Sequence, residues 1–144
     1  MIDIAEQLLV SFAASAAFAV LFHAPRASLL HCGFVGALGW VLYVLLLRVP
    51  ADPVLAALLA SFFVAVLSQL FARTYKAPVI IFIVAGIIPL VPGGMAYDAM
   101  RNIVENQYDQ AVQLGAKAFM LSGAIAIGIV FSEVLTYLSR RPKG

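Results

Sequence analysis

The sequence predicts an all-α integral membrane protein with about five transmembrane helices, the fourth short, broken at a Pro/Gly motif and followed by an amphipathic helix. Three observations predict this fold. Hydrophobic residues make up 64% of the 144 residues and charged residues only 11%, whereas a soluble domain has about 25% charged residues. The apolar residues also form runs of roughly 15 to 25 residues, a length that crosses a bilayer as a helix. We therefore treat residues 1–144 as a single transmembrane domain.

The first three spans are predicted where long apolar runs end at polar or proline-containing segments. Proline disfavours helical conformation at the residue before it, so these segments should separate helices. The segments read "HAPRAS", "RVPADP" and "ARTYKAP", and the predicted spans are 4–22, 29–47 and 54–71. The last span is predicted over 110–138.

Small residues recur along one stripe of three of these spans. Between membrane helices such stripes let the backbones approach closely, so we expect helix–helix contact along them. The stripes are Cys32, Gly36, Gly39 and Tyr43 on the second span, Ala57, Ser61, Ala65 and Ser68 on the third, and Gly115, Ala118, Ser122 and Ala126 on the last, continuing to Glu133.

The distribution of positive charge predicts the orientation in the membrane. Five spans place the two termini on opposite sides, and lysine and arginine concentrate on the cytoplasmic side of membrane proteins. With the N-terminus outside, the inner segments hold Arg26, Arg73, Lys76, Arg140, Arg141 and Lys143, and the outer segments hold Arg48, Arg101 and Lys117. The asymmetry favours an outside N-terminus and a cytoplasmic C-terminus.

The segment "IIPLVPGGMAYDAM" interrupts the fourth span, which is predicted over 78–91. From Ala77 to Val91 there are 15 residues, or about 22 Å of helix against a hydrocarbon core of about 30 Å. Pro89 also lacks an N–H group and frees backbone acceptors near Ala85 and Gly86. The helix therefore ends inside the membrane or crosses a locally thinned one, and unpaired backbone at that depth must be buried in protein or face water.

An amphipathic helix is predicted over 94–106. Its polar face carries Gly94, Tyr97, Asp98, Arg101 and Glu105. The first amides of a helix have no partner within it and attract anions, and the glycines leave them sterically open. Discontinuous helices of transporters place such ends against substrate carboxylates. Two interpretations remain open at this point: a carboxylate-binding site, and an ordinary proline–glycine turn before an interfacial helix.

Two charged side chains are candidates for function. Arg101 can bind a carboxylate with two hydrogen bonds, although a surface ion pair with Asp98 or Glu105 is the alternative. Glu133 lies in the apolar stretch "AIAIGIVFSEVLTYL", and ionisable groups inside spans usually face a bundle interior or a water path. It is therefore the proton-coupling candidate, with placement at the membrane interface near Arg140 as the alternative. Gln69 is a weaker candidate of the same kind.

Other classes of function find no support in the sequence. There is no Cys/His spacing for a metal, no nucleotide-binding loop and no nucleophile–base pair. We predict no metal, no cofactor and no catalytic residues, so the chain is not expected to be an enzyme. The sequence has no basic patch interleaved with aromatic residues, so we do not expect it to bind nucleic acid. Its expected surroundings are the lipid bilayer.

The segment "AGIIPLVPGGMAYDAM", followed after a polar turn by a glycine-containing last span, resembles the threonine/serine exporter family in its short YjjB-like form. Pro89, Pro92 and Gly93 lie on the shared motif. The chain departs from the longer members at Tyr108, where these often have glycine before the turn aspartate, here Asp109.

The resemblance implies secondary transport in the bacterial cytoplasmic (inner) membrane. The implied substrates are small amino acids such as threonine and serine, or small dicarboxylates such as succinate. It also implies a second membrane subunit with the other transmembrane half and a soluble domain, or else a homo-oligomer. Our leading hypothesis is a proton-coupled exporter subunit whose substrate carboxylate contacts the helix start, Tyr97 and Arg101. The alternative is a structural or assembly subunit that completes a partner's bundle without its own substrate site.

Overall fold

The computed structural model describes residues 3–140, and every element in that range is helical. The predicted all-α fold is confirmed. Arg141 and Lys143, which entered the charge comparison, lie outside the described residues. The helices are α1 (Ile4–Leu21), α2 (Leu29–Arg48), α3 (Pro53–Tyr75), α4 (Val79–Ile87), α5 (Gly93–Val104) and α6 (Tyr108–Ser139), with short 3₁₀ turns at Arg26–Ser28 and Ile88–Leu90.

Four helices are long and apolar enough to cross a membrane: α1, α2 with its preceding turn, α3 and α6. The segment Val79–Leu90 and α5 together make a fifth, broken candidate, bent by 51°. The chain is therefore a multi-pass membrane protein. The third helix extends to Tyr75, beyond the predicted 71. It ends there because Lys76 adopts a left-handed conformation with φ 52°. The last helix begins at Tyr108, so Asp109 lies in its first turn.

The centre of the bundle is α2, which packs against α1, α3 and α4. Its predicted stripe of small residues is confirmed, since Cys32, Gly36 and Gly39 are buried. A Cβ atom on Gly36 would lie 2.6 Å from Ser15 Cβ of α1 and overlap its hydroxyl oxygen. A Cβ atom on Gly39 would overlap Val64 of α3. The glycines therefore set the distance between these helices.

The stripe predicted on α3 is also confirmed, because Ala57, Ser61, Ala65 and Ser68 are all buried. On α6 the prediction holds for Ala118, which is buried, and fails further along the stripe. Ser122 and Ala126 are exposed, whereas Leu121, Ile125, Gly128 and Ser132 are buried against the bundle. The sequence misleads there because small residues occupy more than one face of α6. The face that packs combines large residues in the core with one glycine, Gly128, at the close approach to α3.

One apolar cluster ties the broken segment to the long helices. Leu90, from the turn after α4, packs in it with Val64 of α3 and with Leu121 and Ile125 of α6. Met95, in the first turn of α5, packs against the same cluster. The broken segment is therefore packed against the core of the bundle and is not a peripheral loop.

Candidate functional site

The last turn of α4, just before the break, lies about halfway along its neighbour α2. The carbonyl oxygens of Ala85 and Gly86 face Gly36 and Gly39 of α2. Gly39 is ten residues from the start of α2 and nine from its end, or about 15 Å and 14 Å along the helix axis. Since α2 is about as long as the hydrocarbon core is thick, the last turn of α4 sits near mid-depth, and the break follows it.

Pro89 leaves a backbone acceptor without its usual helical donor. The carbonyl of Ala85 would accept from the N–H of residue 89 in a continuous helix, and proline has none. This oxygen instead faces α2, 3.6 Å from where a Cβ of Gly36 would stand. Ser15 borders the same glycine; its hydroxyl is 0% exposed and has no hydrogen-bond partner among residues 3–140. The Ala85 carbonyl and the Ser15 hydroxyl thus both lie close to the backbone of α2 at Gly36, where no side chain intervenes.

The first turn of α5 is open. Gly93 N donates to the carbonyl of Val91 at 2.8 Å, and Ala96 N donates to that of Pro92 at 3.1 Å. The amides of Gly94 and Met95 have no acceptor within the described part of the chain. No atom lies within 4 Å of where a Cβ on either glycine would be. Two donors at this helix start therefore have no acceptor in the described part of the chain, and the glycines beside them are not packed against another helix.

Tyr97 and Arg101 lie on the exposed face of α5 together with Gly94, as the helical spacing predicts. Tyr97 is 68% exposed. Arg101 Nε donates to Glu105 Oε1 at 2.8 Å, so the surface ion pair is formed. Arg101 is seven residues beyond Gly94, which places it about 10 Å further along the helix. The guanidinium and the open amides therefore line one face but do not meet at one point.

Glu133 belongs to a different region. It follows Leu121, which packs against the break, by twelve residues, or about 18 Å along α6. It is exposed and lines a cavity of about 250 Å³ with Gln69, Val79 and Arg140. No salt bridge to Glu133 occurs in the range 3–140. The predicted site residues thus form two groups, one at the break and one near the end of α6.

A groove at the break contains residues that the sequence did not single out. Pro89 lines it with Glu6, Gln7 and Ser11 of α1 and Trp40 of α2, around a cavity of about 560 Å³. Trp40 Nε1 donates to Gln7 Oε1 at 3.1 Å. The sequence could have indicated both residues, since Trp40 is the only tryptophan of the chain and Gln7 is an amide inside an apolar run. It could not indicate that they pair, because 33 residues separate them.

Near the other end of the bundle, Gln69 joins α3 to α6. Thr136 Oγ1 donates to Gln69 Oε1, and Gln69 Nε2 donates to Ser132 Oγ at 3.4 Å. Gln69 is 8% exposed and Ser132 is 1% exposed. Sequence reasoning noted Gln69 alone; its two hydroxyl partners give no signal of their own. Among the described residues no group of His, Cys, Asp and Glu side chains could hold a metal ion.

Comparison with known proteins identifies relatives of this chain. A family model described as "Threonine/Serine exporter, ThrE" matches residues 7–135. A "Threonine/serine exporter" of Corynebacterium glutamicum is 32% identical over 128 residues, covering 89% of this chain and 26% of the relative. An uncharacterized protein of Haemophilus influenzae is 28% identical over 145 residues, covering 95% of this chain and 49% of the relative.

The chain therefore spans about half the length of the Haemophilus relative and about a quarter of the Corynebacterium one. No solved structure matches it. The family match covers nearly the whole chain, including the break and Gln69. The chain therefore belongs to the threonine/serine exporter family.

Proposed function

We propose that this chain is the membrane subunit of a proton-coupled secondary exporter of small amino acids such as threonine and serine. The observation that carries the proposal is the helix break after the mid-depth end of α4, where the amides of Gly94 and Met95 have no acceptor among residues 3–140. Backbone donors at that depth need protein, water or ligand to satisfy them. Broken helices of transporters meet this need with the carboxylate of the substrate.

The proposed carboxylate site is built around the start of α5. Pro89 and Pro92 end the preceding helical segment, while Gly93 and Gly94 keep the amides accessible. The helix dipole adds attraction for an anion. Tyr97 lines the exposed approach, and Arg101 attracts carboxylates from further along the same face. Small dicarboxylates such as succinate carry the same group, so they are the second substrate class to test.

Glu133 is the proposed proton-linked group. Because it is about 18 Å along α6 from the level of the break, its proton cannot reach a substrate there directly. Coupling would act through α6, which packs against the break at Leu121 and Ile125 and carries Glu133 about three turns further on. Protonation would then bias the position of α6 relative to α3 and α4.

A partner is part of the proposal. The relatives contain much more chain than the matched region, and the open start of α5 requires a cover in the membrane. We propose a second membrane subunit with the other transmembrane half and a soluble domain, or further copies of this chain. The proposed location is the bacterial inner membrane with the N-terminus outside, since Arg73, Lys76 and Arg140 lie at the end that would be cytoplasmic.

A structural or assembly subunit is the second candidate. The Arg101–Glu105 ion pair favours it, because Arg101 is the one cation on the polar face of α5 and Glu105 already neutralises it. Under this alternative a partner would cover the open amides permanently, and the substrate would bind elsewhere in the complex.

The test measures flux of labelled threonine, serine and succinate in sealed vesicles under an imposed pH gradient. The vesicles contain this chain alone, and then this chain with its partner. Gly94→Val crowds the open amides, whereas Gly123→Val is the matched control, because a Cβ at either position meets no atom within 4 Å. Loss of flux in the Gly94 variant alone, with assembly intact, supports the substrate site. Normal flux in both variants supports the assembly subunit.

A further inference from the structure

The Gln69 region lies near the end of α3 and α6 that is remote from the break. Gln69 is six residues from the end of α3 and Ser132 is seven from the end of α6, so both are about 10 Å inside the helix ends. A primary amide offers two N–H donors and two acceptor sites. Here Nε2 makes one long contact of 3.4 Å to Ser132, and Oε1 accepts from Thr136. A second N–H has no partner within residues 3–140.

A cavity of about 290 Å³ opens beside this amide. Its polar lining consists of Gln69, Ser132, Thr136, Ser139 and, one turn beyond the glutamine, Arg73. The remaining wall is apolar and includes Phe62 and Leu135. The cavity thus combines a guanidinium, a partly unsatisfied buried amide and hydroxyl groups with an apolar surface.

We propose that this groove between α3 and α6 is a binding site for a small amino acid with a side-chain hydroxyl, and that Gln69 is the residue that recognises the hydroxyl. Arg73 binds the carboxylate, Gln69 and Ser132 bind the substrate hydroxyl, and the apolar wall contacts its methyl or methylene group. The proposal rests on the proposed function. It adds a loading site at the end that the charge pattern predicts to be cytoplasmic, distinct from the site at the break.

The cluster differs from an ordinary contact between membrane helices. A buried polar group with a purely structural role is satisfied without a ligand, and Ser68, one residue earlier, shows this: its hydroxyl donates to the carbonyl of Val64 in the same helix at 2.7 Å. Gln69 lines a cavity on each of its two sides, and Glu133 lines the second one. A substrate at Gln69 would therefore lie across one side chain from the proposed proton-linked carboxylate.

Threonine and valine provide the decisive pair of ligands, because they have the same shape and differ in a hydroxyl and a methyl group. A site built to hydrogen-bond a hydroxyl discriminates against the analogue that lacks it. The experiment measures equilibrium binding of labelled threonine to the reconstituted chain, with its partner where flux requires it, and competition by unlabelled valine. The wild type should prefer threonine roughly ten-fold or more, as one lost hydrogen bond to a buried amide implies.

Gln69→Leu should remove this preference by weakening threonine binding while leaving valine binding unchanged. Thr136→Val is a second, isosteric variant in case the leucine variant does not assemble, and it should reduce the preference in the same direction. Ser68→Ala is the matched control, since it removes a buried hydroxyl outside the cluster. Arg73→Gln should weaken both ligands equally, whereas Arg48→Gln, at the opposite end of the bundle, should weaken neither.

Preserved threonine preference in assembled Gln69 and Thr136 variants would overturn the inference and leave the proposed function standing. A wild type that binds threonine and valine equally would also overturn it. A wild type that neither binds nor transports an amino acid would overturn both proposals. The preference ratio is the informative quantity, because a purely structural role of Gln69 would change assembly and not the ratio.

Discussion

Two glycine pairs of the bundle differ in what surrounds them. A Cβ on Gly36 or Gly39 of α2 would overlap Ser15 or Val64, whereas a Cβ on Gly93 or Gly94 of α5 would meet nothing within 4 Å. The first pair is required by packing that the chain completes by itself. The second pair borders space that the chain leaves open. Glycine in a membrane helix therefore does not identify a contact by itself, and only the surroundings show whether another helix packs against it.

The largest effect is expected for a packed glycine whose neighbours are backbone atoms. A Cβ on Gly128 of α6 would lie 2.6 Å from the carbonyl oxygen of Leu58 and 3.1 Å from Phe62 N. Backbone atoms cannot rotate away, so Gly128→Val should destabilise the fold by about 3 kcal/mol or more. Thermal unfolding and the yield of monodisperse protein measure this. Stability equal to that of Gly123→Val would show that α3 and α6 do not approach as described.

A smaller and reversible effect is expected at the contact between α1 and α2. Gly36→Ala alone should cost about 1 to 3 kcal/mol, because the new methyl group overlaps Ser15. Adding Ser15→Gly removes the overlapping atoms and should restore most of the loss, giving a positive coupling in a double-mutant cycle. Additive losses in unfolding measurements would mean that the two residues do not share the space.

The packed region was largely predictable and the open one only in part. The stripes on α2 and α3 indicated their contacts because small residues there are flanked by large ones on the other faces. On α6 small residues lie on several faces, so the periodicity did not select the face with Leu121 and Gly128. The Pro/Gly break was evident from composition, but its depth in the bundle depends on which residues of α2 the preceding helix meets. The pairing of Gln69 with Ser132 and Thr136 depends on tertiary register that a local pattern does not contain.

The border between the two regions should show an intermediate effect. Trp40 Nε1 donates to Gln7 Oε1 across the groove that Pro89 lines. Trp40→Phe keeps an aromatic ring but removes this donor, and a hydrogen bond between membrane helices contributes about 0.6 kcal/mol on average. A loss of about that size in unfolding experiments is expected. A loss above about 2 kcal/mol would show that the larger indole ring, rather than its N–H group, holds α1 against α2.

In the open region a substitution should separate stability from transport. The glycines among residues 3–140 all have negative φ, so alanine fits the backbone of Gly94 without strain. Gly94→Ala should raise stability by about 0.4 to 1 kcal/mol, because it reduces the freedom of the unfolded chain. The same methyl group stands beside the open amides and should reduce flux in the vesicle assay. Increased stability with full flux would remove the amides of α5 from substrate binding.

The smallest effect on stability is expected at Arg101, whose ion pair with Glu105 is exposed on the surface. Such pairs contribute little to folding, so neither Arg101→Gln nor Glu105→Gln should shift the midpoint of thermal unfolding measurably. Their effects on transport should be opposite. Arg101→Gln removes the cation and should raise the KM for a carboxylate substrate, whereas Glu105→Gln frees the guanidinium from its partner and should lower it. Equal changes in the two variants would mean that the pair acts as a unit that holds α5 in place. Opposite changes in KM with unchanged unfolding would show that anions approach along this face of α5. The open glycines of α5 would then border a route for substrate, whereas the packed glycines of α2 only hold helices together.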